Sequence, residues 1–346
     1  MKTDEEKNYL SLTHFFSKAL FLGIGIAKIL MDARESAIFS MLLGTLFGVF
    51  ILYFINNLNY YKLNGFKKII MFILIFSLFI IGLNELTNLI SSIYLIDSNH
   101  YFIMLPLILL ILYMNTKSMN LHLKIAHMLV YLFDGFFIIS LLSLLPEIDT
   151  LNYLPLFNVS FKKILFTSFE FALFSVVPNL LYGGIKPDFK SKKLNFKIIK
   201  HYLISNLVII SMILTTQGVL GIDLVDLFKF PEYVVLKKIS LLDFINNIEN
   251  FLSFCIMFAI YVFLSICSKQ LYDMSYETFN NKYAYPIFLV LSLFFISNFV
   301  FDNVKFLVNI SKYLWIICLA ILVIYVLFNL NSIKRKRIKS LNIKNE

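Results

Sequence analysis

The sequence predicts an all-α integral membrane protein with about ten transmembrane helices, on three observations. Of 346 residues, 59% are hydrophobic and only 15% charged, against roughly 25% charged residues in an average soluble domain. The apolar residues fall in stretches of about 18 to 25, the length at which a helix rising 1.5 Å per residue crosses a hydrocarbon layer of about 30 Å. The lysines and arginines gather in alternate connections between these stretches.

Runs bounded by charges or turn residues place the spans in order. Five lie near 12–31, 36–56, 67–94, 101–115 and 121–145, and five more near 161–183, 198–219, 243–268, 283–300 and 308–330. The first follows a start carrying Asp4, Glu5 and Glu6, and no small-residue cleavage motif follows it. It is therefore expected to remain in the mature protein. It contains FLGIGIAKIL, where Gly23 and Gly25 allow the backbone to unwind without a side-chain clash. The third span holds Glu85 between Asn84 and Asn88, and the fifth holds Asp134.

The sixth span, LFTSFEFALFSVVPNLLYG, has Thr167, Ser168 and Glu170 near its middle and Pro178 and Asn179 about two turns on. Pro178 removes one intrahelical hydrogen bond and crowds the preceding turn, so this helix is expected to break or kink. A lysine-rich loop with Pro187 precedes the seventh span. Between the seventh and eighth, Asp223 to Leu242 mixes apolar and charged residues and reads as an interfacial helix on the outer face. The eighth carries Glu249 near its outer end. The whole chain, 1–346, reads as one membrane domain: a repeat of about 12–145, a second of about 161–330, and a basic tail, 331–346.

With the N-terminus cytoplasmic, the inner segments hold 21 of the 31 lysines and arginines and the outer segments 8, with Lys18 and Lys28 inside the first span. This bias sets the orientation by the positive-inside rule, and an even number of spans returns the C-terminus to the cytoplasm of a cell-membrane protein. The Lys334 to Arg337 run reads as an anchor on anionic lipid. The net charge of +10 therefore reflects topology; a nucleic-acid partner would need a basic face on a folded domain.

Polar groups inside the span regions narrow the function. A charge near the bilayer centre costs at least about 2.5–3.5 kcal/mol on insertion scales and normally faces a protein interior or a watery cavity. Glu85, Asp134, Glu170 and Glu249 are such groups and are candidates for proton or ion coupling. Lys28, Lys124 and His127 lie nearer the span ends, where side chains snorkel. An embedded enzyme would need a nucleophile constellation or metal ligands. The five histidines are scattered near span ends without HExxH, no GxxxxGK[ST] occurs, and Cys255, Cys267 and Cys318 lack ligand spacing. No enzyme activity, cofactor or metal is expected. The interruptions near Gly23–Gly25 and Pro178 fall at equivalent places in two five-span halves, the pointer to an inverted-repeat transporter.

The first span with GIGIAKIL, the sixth with SFEFALF and the segment FPEYVVLKKISLLDFINNIENFLSF resemble the endospore germination permeases, membrane subunits of nutrient germinant receptors in the amino acid, polyamine and organocation superfamily. Phe230, Pro231, Lys238, Ile239, Phe244 and Glu249 match that family's pattern. Asn246 and Asn247 stand where an arginine is expected, and Trp315 is the single tryptophan, which makes this a divergent relative. The resemblance implies a five-plus-five inverted-repeat fold whose discontinuous first and sixth helices bind an amino acid or similar nutrient at the midplane. The implied binding positions are Gly23, Ile24 and Gly25, with Thr167, Ser168, Phe169 and Glu170 opposite. It implies a sensor working with other germinant-receptor subunits. The alternative reading is a proton-coupled amino acid transporter of the same superfamily.

Overall fold

A computed structural model describes residues 2–21, 25–55, 65–96, 98–185, 194–238, 248–296 and 315–327; the loop with Pro187 and the basic tail lie outside them. The described residues are helical throughout apart from turns and short connections, with no strand among them. Six stretches are long and apolar enough to cross a membrane: Ile26–Phe54, Phe66–Ile93, Met119–Glu147, Phe161–Gly184, Leu194–Leu220 and Ser253–Phe279. The chain is a multi-pass helical membrane protein.

The described chain begins with two helices, α1 (Lys2–Lys18) and α2 (Ile26–Ala33). A 3₁₀ turn at Arg34–Ser36 then leads to α3 (Ala37–Ile55). Arg34 takes φ +48° there, outside the helical region, so α2 and α3 are separate helices. Next come α4 (Phe66–Ile93), α5 (His100–Asn115) and α6 (Met119–Leu144). Asn99 caps α5 by accepting from the Tyr101 N–H at 3.1 Å. The Phe161–Gly184 stretch begins as α7 (Phe161–Val176) and continues as a 3₁₀ segment, Val177–Gly184. The chain then forms α8 (Leu194–Leu220), two short helices α9 (Ile222–Val225) and α10 (Pro231–Leu236), and α11 (Ile248–Phe279). The last described helices are α12 (Ala284–Ile296) and α13 (Trp315–Leu327).

Burial is inverted relative to a water-soluble protein. Phe50, Phe102 and Met128 are 66%, 80% and 74% exposed, as expected where lipid is the outer solvent. The interior instead collects polar groups: Lys18, Glu85 and Glu170 are 3%, 3% and 0% exposed. Hydroxyls along the helices are satisfied locally, as in Thr45 to the Met41 carbonyl and Ser168 to the Ile164 carbonyl.

At the centre, α1 packs on α6 and α8 while α3 packs along α7. Small residues set these approaches. A Cβ on Gly44 would lie 2.6 Å from the Ser168 carbonyl oxygen, and one on Gly48 would collide with the Tyr202 hydroxyl. Around this core α4 packs on α11, which also contacts α5 and α6. Phe288 of α12 meets Phe72 of α4 edge-on and lies tilted against Phe76. Trp315 of α13 meets Phe166 of α7 edge-on, with ring centroids 5.0 Å apart.

Candidate functional site

Both central helices are interrupted, and the interruptions touch. After α1 ends at Lys18, the Gly25 N–H donates to the Leu20 carbonyl at 3.2 Å, five residues back, one more than an α-helix spans. The Phe21 ring lies against Gly25, where a Cβ would fall 2.6 Å from its Cδ1. On the other helix the α-conformation stops at Val176, directly before the Val177–Pro178 pair, and the tighter 3₁₀ winding takes over. Asn179 donates through Nδ2 to the Ser17 hydroxyl at 3.0 Å and to the Ser175 carbonyl at 2.7 Å. Phe21 packs on Phe171 and Phe174, with centroids 4.9 and 6.0 Å apart.

Charged groups stand on both sides of this junction. On the α2 side, Lys28 pairs with Asp32 one helical turn on, and its Nζ lies 3.7 Å from Glu170 Oε1. Glu170 is fully buried, and neither carboxylate oxygen has a hydrogen-bond partner. One cation thus faces two acids, and the more buried acid is the less satisfied. The Lys28 charge offsets part of the cost of burying Glu170. On the α1 side, Lys18 Nζ donates to Asp134 Oδ1 at 2.8 Å and stands 4.5 Å above the Phe133 ring. His14 Nδ1 lies 3.7 Å from Asp134 Oδ2, and His14 Nε2 is 3.3 Å from His201 Nδ1.

Of the residues marked in the sequence, Gly23 and Ile24 lie outside the described residues. Gly25 is at the α1–α2 interruption, and Thr167, Ser168 and Glu170 are buried on α7. The hydroxyls of Thr167 and Ser168 donate to the carbonyls of Lys163 and Ile164, so their donors are spent within the helix. Phe169 packs half-buried against the core. Asp134 and Glu170 meet different lysines on opposite sides of the junction. Glu85 stands apart on α4, accepting from Asn84 at 3.4 Å, with Lys229 and Glu232 of the segment between α8 and α11 as charged neighbours. Glu249 is in the first turn of α11, its side chain outside the described residues.

Three readings need correction. Lys28 does not snorkel to an interface; it turns inward to Asp32 and Glu170. Lys18, counted only as a charge within the first span, is a buried partner of Asp134. The histidines are not all scattered: His14 and His201 meet, and His127 Nδ1 lies 3.2 Å from Ser11 Oγ nearby. The Lys28–Asp32 spacing of one helical turn was a readable signal, whereas the His14–His201 meeting depends on packing across 187 positions. Among the described residues no three His, Cys, Asp or Glu side chains assemble a metal site. In comparison with known proteins, no family model and no curated protein matches this chain.

Proposed function

We propose that the chain binds a small nutrient such as an amino acid where its two interrupted helices meet, as a transporter or as a germinant-receptor-like permease subunit. One observation carries the reading: the end of α1 meets the 3₁₀ segment through Ser17 and Asn179, with a Lys–acid pair on either side that joins one buried and one partly exposed group. Interrupted helices leave backbone donors and acceptors available, and separated charges of both signs suit a solute bearing an ammonium and a carboxylate. Glu170, with unpartnered oxygens 3.7 Å from Lys28, is the group assigned to the ammonium or to a coupling proton.

The pairing of helices supports a five-plus-five inverted repeat. Counting α1–α2 as the first span and α7 with its 3₁₀ segment as the sixth, exchanging each span with the one five places away matches several of the contacts with one another. The first–seventh contact, α1 with α8, corresponds to the second–sixth, α3 with α7. The first–fifth contact, α1 with α6, corresponds to the sixth–tenth, Phe166 with Trp315. The fourth–eighth contact, α5 with α11, corresponds to the third–ninth, Phe72 with Phe288. The third–eighth contact, α4 with α11, is its own counterpart.

Reconstitution separates the two forms of the reading. Purified protein in liposomes, given each of the twenty radiolabelled amino acids with an inward proton gradient, accumulates one class if it transports. A sensor binds that class in detergent but accumulates none. Neither binding nor uptake of any amino acid would contradict both.

A further inference from the structure

A second buried polar cluster lies where α1 packs between α6 and α8. His14, 5% exposed, presents Nδ1 to Asp134 Oδ2 at 3.7 Å and Nε2 to His201 Nδ1 at 3.3 Å. Lys18 holds the other oxygen of Asp134 at 2.8 Å, and His201 is partly exposed. Two imidazole nitrogens in a hydrogen bond hold one proton between them, because one donates and the other accepts. A carboxylate facing His14 Nδ1 favours a proton there. In the neutral pair, His201 Nδ1–H therefore donates to His14 Nε2.

A proton arriving from water has one vacant nitrogen to take, His201 Nε2. The Nδ1 proton of the resulting imidazolium then crosses to His14 Nε2. His201 is left neutral with its proton on Nε2, and His14 becomes an imidazolium facing Asp134. Asp134, until then paired by Lys18 alone, is shared between two cations.

We propose that His201, His14 and Asp134 form a proton-binding relay ending at Lys18, the last residue of α1, so that uptake of one proton loosens Lys18 from Asp134 beside the helix interruption. The assignment names the proton as the coupling ion; its role rests on the solute-binding reading, while the proton chemistry does not. The other groups near the pair are identifiable. His127 of α6 and Lys200 act on His201, and Lys7 and Asp4 on His127. Tyr182 of the 3₁₀ segment bonds Thr13 at 2.7 Å, and Lys197 pairs with Glu6. Glu170 of α7 faces Lys28, while on α11 Lys269 pairs with Asp273 and Glu277 with Lys68.

The test is ¹⁵N NMR of the histidine ring nitrogens in the full chain in nanodiscs, from pH 5 to 8. The relay requires His14 and His201 to titrate as one coupled pair sharing a proton. His14→Gln should leave His201 titrating as a single ring, and Asp134→Asn should displace the pair's titration while His100 stays unchanged. Independent titration of the two rings in the parent overturns the relay and needs no variant to fold. So does a His201 curve unaffected by His14→Gln. Coupled histidines in a protein that binds no amino acid would leave the proton site standing and remove the solute reading; the converse result would do the reverse.

Discussion

An acid with no hydrogen bond inside a helical bundle is costly to keep, and Glu170 is one. Its position was legible because a carboxylate near the centre of an apolar stretch stands out in any sequence. Its partner was not, since Lys28 reads equally well as a side chain reaching for headgroups until packing turns it inward. Gly25 reads in the sequence as a place to unwind, whereas in the structure it keeps helical dihedrals and forms the floor for Phe21. Gly25→Ala should cost about 1–3 kcal/mol in the parent and much less in a Phe21→Ala background. Unfolding in detergent measures the cycle, and equal costs in both backgrounds would remove Phe21 as the cause. Outside the spanning helices, burial pushes Glu232 up to about 8, with Glu85 adding to the effect. Because the folded state holds this proton more tightly than the unfolded chain, its contribution to stability is present at low pH and is lost as pH rises from about 4.5 to 8. Glu232→Gln should therefore flatten the fall in thermal stability over that window, and an unchanged profile would refute the assignment.

Among the elements, hydropathy placed the helices well because an apolar run bounded by charges has few other fates. Their ends were less legible. The first helix begins ten residues before the apolar run, where Lys197 bonds Glu6, and α11 runs to Phe279, past the span end expected near 268. Both extensions mix polar residues with apolar ones that pack into the core, such as Tyr9, Leu10 and Leu271. The change from α to 3₁₀ winding at Val177 was legible from Pro178, because a missing N–H and a crowded turn leave few alternatives. Pro178→Ala restores a donor for the Phe174 carbonyl. Amides 178–182 should then become more protected from hydrogen exchange, and solute affinity should fall about tenfold, which is about 1.4 kcal/mol. Unchanged exchange would mean that packing, not proline, imposes the 3₁₀ winding.

For the whole molecule, the proposed orientation rests on the lysine and arginine bias, which predicts both termini on the cytoplasmic side. Single cysteines at Asn99 and Asn303 should label from outside intact cells, and ones at Lys192 and Ser340 only after permeabilisation. Labelling of position 192 in intact cells would reverse the orientation. The central claim is that a small amino compound binds beside Glu170, and equilibrium binding of radiolabelled amino acids to purified protein in nanodiscs tests it most directly. The parent should bind at least one amino acid saturably, and Glu170→Gln, inserted at normal levels, should weaken that binding by about tenfold or more. Equal affinity of the two proteins, measured from pH 5 to 8, would contradict the account.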